Sequence, residues 1–381
     1  MIRILWPFTL GAFALGLDAY VLAGLLPAMA HDLHVPQASV GLGIAIFTAA
    51  YAVSAPTLSP LAARRSTRLG LLMGLGLFTL GNILTITSSS LPVLLLSRGV
   101  AGLGAGIFSP LASSTAANMV DASQKGRALS TVLGGLGSGT AFGVPVGLAI
   151  DRWFGWRWTI GLLVLLGLIA AAGVALYGAE LPKVRTVDWK ARLSALRAPF
   201  NLATLSVTFF TSFSVLGLYT YIAEVMTSRG MTDRVGMLIW LWGVGGMIGS
   251  LGIGKVIDHH LPPSRVTPIL LCTIVISYLL VGYVGAAGAA VGCFVWGLAG
   301  WATIAPQQHA LMSNDPANSV AALAWNSSIN YLGGAIGAAV GSVLLSSYLA
   351  PTSLPLFAMV GVAVAIGIHS VKMRIPVGTA P

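Results

Sequence analysis

The chain has 381 residues, of which 56% are hydrophobic and only 8% are charged, and its mean hydropathy is +0.89. A soluble domain carries about 25% charged residues, so this composition excludes a soluble protein and predicts a polytopic membrane protein. The formal net charge of +10 does not indicate nucleic acid as a partner, because the basic residues lie at the ends of apolar runs, where they set topology in the lipid bilayer.

Twelve apolar runs, each about 20 residues long, predict twelve membrane-crossing helices, numbered here as spans 1 to 12. The first six cover 5–30, 38–62, 70–87, 92–116, 128–150 and 158–178, and the last six cover 202–225, 235–257, 266–286, 289–310, 320–348 and 353–371. The first run is far longer than the apolar core of a signal peptide, so we expect it to be retained as a membrane helix.

A polar stretch separates the two sets of six runs. We therefore predict an all-α fold with an N-terminal six-helix bundle over 1–179, a linker over 180–200 and a C-terminal six-helix bundle over 201–381. The two halves contain similar sequence motifs: Gly99-Val-Ala-Gly102 matches Gly297-Leu-Ala-Gly300 at an offset of 198 residues. Such repeats predict two pseudo-symmetric bundles, the build of many secondary transporters.

The distribution of Lys and Arg predicts the orientation of the chain. If the N-terminus is inside, 15 of the 20 basic residues fall in inside segments, including the linker, and four fall outside. Cytoplasmic loops carry this excess, so both termini are expected to be cytoplasmic.

One carboxylate lies deep in the first span. Asp18 is near the middle of 5–30, where no other acidic or basic residue occurs. An acid at this depth costs several kcal/mol, so it should face a partner or a water-filled cavity. We predict a proton or cation site. The alternative is a structural acid that is neutralised by a partner or held protonated.

Arg98 is the one basic residue that lies deep within a span, since Lys255 falls close to the end of span 8. A guanidinium does not deprotonate in proteins and therefore needs an acceptor. We hypothesise that Arg98 pairs with Asp18 and tunes its proton affinity; the alternative is that Arg98 reaches the nearer headgroups.

In span 5, glycines recur every four residues and favour close approach of a neighbouring helix, with a bend permitted at Pro145. The spacing indicates either a sliding surface or ordinary tight packing. These residues are Gly135, Gly139, Gly143, Pro145 and Gly147.

With these motifs the whole chain resembles the major facilitator superfamily, and within it the bacterial drug and sugar efflux proteins of the twelve-helix proton-antiporter branch. The resemblance rests on Gly16-Leu-Asp18 in span 1, Leu96-Ser-Arg98-Gly-Val-Ala-Gly102 in span 4 and Gly143-Val-Pro145-Val-Gly147 in span 5. It implies a transporter rather than an enzyme. Proton coupling would then fall to Asp18 and Arg98, with span 5 as a conformational element.

The loop between spans 2 and 3 departs from the family pattern. It reads Ser59-Pro-Leu-Ala-Ala63-Arg64-Arg65-Ser66-Thr67-Arg68 and lacks the glycine and the aspartate that the family has there. The resemblance implies that this loop stabilises one conformation, as a latch, and the missing residues put that role in doubt here. The corresponding loop of the second half keeps Gly254 and Asp258, so the latch could have moved to that half. Arg64 and Arg68 then either belong to the latch or serve only as a topology signal.

A mixed aromatic and amide set is expected to line the substrate chamber and to suit a modestly polar, aromatic or amphipathic solute. It comprises Tyr20, Phe47, Tyr51, Phe213, Tyr219, Tyr221, Trp240, Trp296, Trp301, Trp325, Asn326 and Asn330.

These features and the resemblance together predict a proton-coupled exporter of a small organic solute that acts as a monomer by alternating access. The resemblance implies the drug-like, sugar or nucleobase class of solute, the bacterial cytoplasmic membrane and a role in drug resistance. No cofactor or metal is expected: no nucleotide-binding Gly-x-x-x-x-Gly-Lys-Ser/Thr loop exists, and the two cysteines have no metal-ligand spacing. The alternatives are a sugar or nucleoside symporter or uniporter, and a receptor, which the short termini disfavour. An intramembrane protease is excluded, because a single deep acid provides no catalytic pair.

Overall fold

The computed structural model describes residues 2–64, 66–121, 125–176, 181–182, 198–314 and 319–375. The described residues contain helices and no strand, and twelve of the helical segments are long and apolar enough to cross a membrane. The predicted all-α polytopic fold is confirmed. The remaining residues, which include most of the expected linker, lie outside the described part of the chain.

The first six spans are continuous helices apart from span 5. They are Ile2–Leu33, Gln37–Ala63, Thr67–Ile86, Leu91–Asn118, the three-part span 5 and Trp156–Leu176. Span 5 consists of Lys125–Ser138, a π-helical turn at Gly139–Gly143, and Val144–Phe154. A π-helical turn inside a helix is rare and commonly lies at a functional site.

The second six spans are interrupted more often. They are Pro199–Thr220, Val235–His259, Pro263–Tyr283, the two-part span 10, Ser319–Ser347 and Leu354–Lys372. Span 7 ends five residues earlier than expected, and a separate short helix, Ile222–Ser228, follows it. Span 10 is divided into Ala286–Ala302 and Ile304–Asn314. The division has a local cause: Pro306 has no N–H for a continuous helix, so the chain breaks just before it.

Residue contacts divide the chain into two compact units, Met1–Thr186 and Val187–Pro381. Within the first unit, spans 2 and 3 pack on span 4, and span 1 packs on spans 5 and 6. Within the second, spans 8 and 9 pack on span 10, and span 7 packs on spans 11 and 12. The same pairing order therefore recurs in both units, as the repeated sequence pattern predicts.

Close glycine contacts hold one equivalent helix pair in each unit. A methyl group on Gly139 in span 5 would overlap the backbone carbonyl of Phe13 in span 1, and one on Gly337 in span 11 would overlap the carbonyl of Phe213 in span 7. The two glycines are again 198 residues apart. Small residues at such positions let helix backbones approach closely in membranes.

Candidate functional site

Asp18 and Arg98 form a buried ion pair inside the first unit. Arg98 Nη1 donates to Asp18 Oδ1 over 2.9 Å, and the two side chains are 1% and 0% exposed. Span 1 supplies the carboxylate and span 4 the guanidinium. In the low-dielectric interior each charge depends on the other, because removing one partner of a buried pair costs about 3–5 kcal/mol.

Asn82 in span 3 completes the site. Its Nδ2 donates to Asp18 Oδ2 over 3.4 Å and to the Phe78 carbonyl over 3.0 Å, while its Oδ1 accepts from Arg98 Nη1 over 3.3 Å. Asp18, Asn82 and Arg98 thus form a closed hydrogen-bonded ring that joins three helices, here called the polar ring. Asn82 is not among the site residues predicted from the sequence. The available signal was a lone amide within the apolar run 70–87.

An aromatic side chain covers the guanidinium of the polar ring. Phe47 in span 2 is buried, and its ring centroid lies 4.6 Å from Arg98 Cζ. The contact is a cation–π interaction, which gains strength where both partners are desolvated. Arg98 Nε is buried and has no hydrogen-bond partner among the described residues. The polar ring therefore keeps one unused donor.

Span 5 holds the backbone of span 1 next to Asp18. Gly135 faces the Thr9 carbonyl, Gly139 faces Phe13, and Gly143 faces the side chain of Leu17. Both helices advance by four residues at each contact, so the stripe continues to Gly147 against Val21. The conformational element expected in span 5 thus lies along the helix that carries Asp18, and Pro145 falls just after the π-helical turn.

The loop residues proposed as a latch have different surroundings. Arg68 donates to the carbonyl of Ala175, so it ties the start of span 3 to the end of span 6 within the first unit. Arg64 is exposed at the end of span 2. The side chain of Asp258 lies outside the described part of the chain.

A cluster of aromatic rings occupies the interior of the second unit. Tyr219 packs on Trp242 with ring centroids 4.1 Å apart, and Trp296 and Trp301 each lie 5.9 Å from Trp242. Tyr278 approaches Trp296 edge-on at 5.5 Å. These five rings are called the aromatic cluster. Sequence analysis named Tyr219, Trp296 and Trp301 but neither Trp242 nor Tyr278.

Trp240 lies apart from the aromatic cluster and is 39% exposed. Residues two apart on a helix point about 200° away from each other, so only one of Trp240 and Trp242 can face the interior of the unit. Composition does not decide which, because span 8 is apolar all round.

Hydroxyl groups of span 7 bind the two predicted amides of span 11. Thr208 donates to Asn326 Oδ1 over 2.7 Å, and Ser212 donates to Asn330 Oδ1 one helical turn further on. The amide nitrogen of Asn326 is buried without a hydrogen-bond partner among the described residues. These amides therefore join two helices, and both N–H donors of the Asn326 amide remain unused.

The other predicted chamber residues are dispersed. In the first unit, Tyr20 lies near Tyr51. In the second, the Tyr221 hydroxyl donates to the Ala338 carbonyl over 2.7 Å, Phe213 stacks on Phe209, and Trp325 packs against a small apolar cluster at Leu205, Leu311 and Ala322.

The units differ at equivalent positions. The offset of 198 residues that relates the glycine motifs also relates Arg98 to Trp296. One unit thus has a buried cation with its carboxylate at this position, while the other has the centre of the aromatic cluster. The repeat provides two similar scaffolds with different chemistry.

Outside the spans, one further acid lies in the short helix that follows span 7. Glu224 Oε2 is buried and has no hydrogen-bond partner among the described residues. Burial raises the pKa of the Glu224 carboxyl above its ordinary value of 4.5, because desolvation disfavours the charged form.

Twelve spans in two six-helix units of the same pairing order, with a buried carboxylate in one of them, define a membrane transporter of the repeated-bundle class. The Major Facilitator Superfamily model matches residues 8–338, and the chain belongs to that family. This is a family of transporters rather than enzymes, in agreement with the prediction.

Two relatives and one solved structure show how far the similarity reaches. The chain is 30% identical to the inner membrane transport protein YdhP of Escherichia coli K12, over 94% of this chain and 92% of that protein. It is 31% identical to a chloramphenicol resistance protein of Streptomyces lividans, over 66% of each chain. A bacterial homologue of the human lysosomal transporter Spinster, solved in an inward-facing and occupied conformation, has the same fold: the TM-score is 0.77 at 14% identity, with 98% of this chain and 97% of that one covered.

Proposed function

We propose that this protein exports a small, modestly polar aromatic or amphipathic solute from the bacterial cytoplasm in exchange for protons, by alternating access in the inner membrane with both termini cytoplasmic. The observation that carries the proposal is the polar ring: a fully buried carboxylate, Asp18, whose charged partner in the described part of the chain is Arg98.

The polar ring supports proton coupling because protonation would change its charge balance. A proton on Asp18 removes the anion that Arg98 requires and leaves a buried cation uncompensated, which is strongly unfavourable. The ring therefore opens, or Arg98 finds another acceptor, whenever Asp18 binds a proton. Since Asp18, Asn82 and Arg98 belong to spans 1, 3 and 4, proton binding is linked to the relative positions of three helices.

The glycine stripe of span 5 supports a conformational role in the same mechanism. It lies against the helix that carries Asp18, and a π-helical turn interrupts span 5 within the stripe. Small side chains allow span 1 to shift along span 5 without large barriers, so a change of charge at Asp18 can be converted into a change of tilt.

The aromatic cluster and the amides of span 11 support solute binding in the second unit. Ligand sites are lined mainly by aromatic and apolar side chains with a few polar groups that orient the ligand. Tyr219, Trp242 and Trp301 supply the aromatic faces, and the unused N–H donors of Asn326 supply a polar group within the same unit. Similarity to a chloramphenicol resistance protein favours a neutral, drug-like aromatic solute.

The test is proton release from detergent-purified protein in weak buffer when chloramphenicol or another aromatic solute is added. The account predicts release from the wild type and none from Asp18→Asn. Asp32→Asn is the matched control: Asp32 is also in span 1, but its ion pair with Arg157 is about 40% exposed, and we expect normal release from this variant.

Two results would overturn the proposal. Release that persists in Asp18→Asn would place the coupling group elsewhere. Solute binding without release from either protein would exclude proton exchange and favour a uniporter.

A further inference from the structure

An apolar groove lies between spans 8, 9 and 10 of the second unit. Its volume is about 320 Å³, and every lining residue is glycine or apolar. The lining includes Gly252, Val256, Leu261, Ile269, Leu298 and Ala302. A site for a polar solute would present a few oriented polar groups, and this groove presents none.

The groove opens to the outer surface of the unit at membrane depth. Its rim residues Ile248 and Ile269 are 47% and 53% exposed, and all three helices are membrane spans. At membrane depth, isoleucine side chains such as these are more favourable in hydrocarbon than in water. A volume near the lower limit for ligand pockets, about 300 Å³, suits a slender chain better than a bulky ring system.

Positive charge lies at one end of the groove. Leu261 and Val266 line this end, and each adjoins an exposed basic residue, His260 and Arg265. Arg265 forms no salt bridge with a described residue. Span 9 begins at Pro263, at this end of the groove, so the positive end of its helix dipole adds to the positive charge there.

We propose that the groove is a binding site for one anionic phospholipid, whose acyl chain occupies the groove and whose headgroup binds Arg265. The apolar lining selects a hydrocarbon chain, and the cation at its end selects negative charge. Basic residues near the membrane surface attract anionic headgroups by about 1 kcal/mol each, which corresponds to a preference of about five-fold. The site is independent of the transport reaction.

The experiment titrates delipidated full-length protein with palmitoyl-oleoyl phosphatidylglycerol or phosphatidylethanolamine and counts bound lipids by native mass spectrometry. We expect the wild type to bind one phosphatidylglycerol with about five-fold preference. Arg265→Gln should bind both lipids equally. Arg374→Gln, which removes an exposed cation at the end of span 12, should behave as the wild type.

Gly252→Leu tests the chain-binding part of the proposal. A Cβ atom at Gly252 meets nothing within 4 Å, so leucine fits the fold and fills the groove, and this variant should lose the tightly bound lipid. Gly254→Leu is the matched control, because Gly254 is in the same helix and equally open but does not line the groove.

Several outcomes would overturn the proposal. Equal lipid retention by Gly252→Leu and Gly254→Leu would show that the lipid is bound elsewhere. Unchanged headgroup preference in Arg265→Gln would remove the assigned headgroup contact. Displacement of the lipid by chloramphenicol would assign the groove to the transported solute. Dimerisation of the protein that Gly252→Leu abolishes would assign the groove to a second copy of this chain. Inorganic phosphate should not compete; competition would indicate a free-anion site.

Discussion

Exchanging the carboxylate and the amide of the polar ring between positions 18 and 82 tests how much the ion pair with Arg98 contributes to the free energy of unfolding. Asp18→Asn leaves Arg98 as a buried cation without a counter-ion, at a cost of about 3–5 kcal/mol. Asn82 touches both other members of the ring, so the double variant Asp18→Asn, Asn82→Asp exchanges the two side-chain types and returns a carboxylate to Arg98. The exchange preserves composition and nearly preserves volume.

The two variants should therefore differ greatly in stability. For a unit of 186 residues, 1 kcal/mol shifts the melting temperature by about 2–4 °C, so Asp18→Asn should lower it by about 6–20 °C. The double variant should recover more than half of that loss. The assay is thermal unfolding in detergent followed by tryptophan fluorescence.

Asp32→Asn provides the comparison, because an exposed ion pair contributes only about 0–1 kcal/mol. The reasoning is refuted if Asp18→Asn melts with the wild type, or if the double variant is no more stable than the single one. Either result would mean that the ring does not neutralise Arg98 in the way its geometry indicates.

Three further predictions concern the rest of the chain. Gly139→Ala should lower the free energy of unfolding by about 1–3 kcal/mol, because the added methyl group overpacks against Phe13. Gly134→Ala is the control: a Cβ there meets nothing, so the free energy of unfolding should change by no more than about 0.5 kcal/mol. Thermal unfolding distinguishes the two variants, and equal melting temperatures would contradict the packing. Trp242→Leu should weaken solute binding, measured by calorimetry, at least about ten-fold, a change of about 1.4 kcal/mol. Trp240→Leu should leave the affinity unchanged. If Trp240→Leu weakens binding and Trp242→Leu does not, the solute site is not at the aromatic cluster. Because burial raises the pKa of Glu224, the folded protein binds this proton more tightly than the unfolded chain, so stability should fall as pH rises above 4.5. Glu224→Gln should reduce that fall, and an unchanged pH profile of the melting temperature would refute the assignment.

The number and order of the spans could be predicted from sequence because hydrocarbon thickness fixes the length of an apolar run. Asp18 and Arg98 could also be selected, since charges are rare at that depth. Asn82 was not selected. As a lone amide in an apolar run it gave a signal, but an amide carries no net charge, and nothing in the sequence connects it with Asp18 and Arg98, which lie on two other helices. A helix that is apolar all round gives no signal of its rotation, which also explains why Trp240 was selected and Trp242 was not.

The sequence contains weaker indications of where the membrane helices are interrupted. Pro306 indicates a break in span 10, but Pro7, Pro27, Pro56 and Pro60 lie inside continuous helices. A proline alone therefore does not decide whether a membrane helix bends or breaks, since neighbouring groups can satisfy the freed carbonyl. The π-helical turn in span 5 packs against span 1, and the glycine spacing alone gives no indication of such a turn.

The central claim is that solute and proton move in opposite directions through Asp18. The most direct test imposes a chloramphenicol gradient across proteoliposomes without a pH gradient and records internal pH with an enclosed dye. The account predicts a proton flux opposite to the solute flux in the wild type and none in Asp18→Asn. Proton flux in the same direction as the solute, or solute flux with no proton flux, would contradict it.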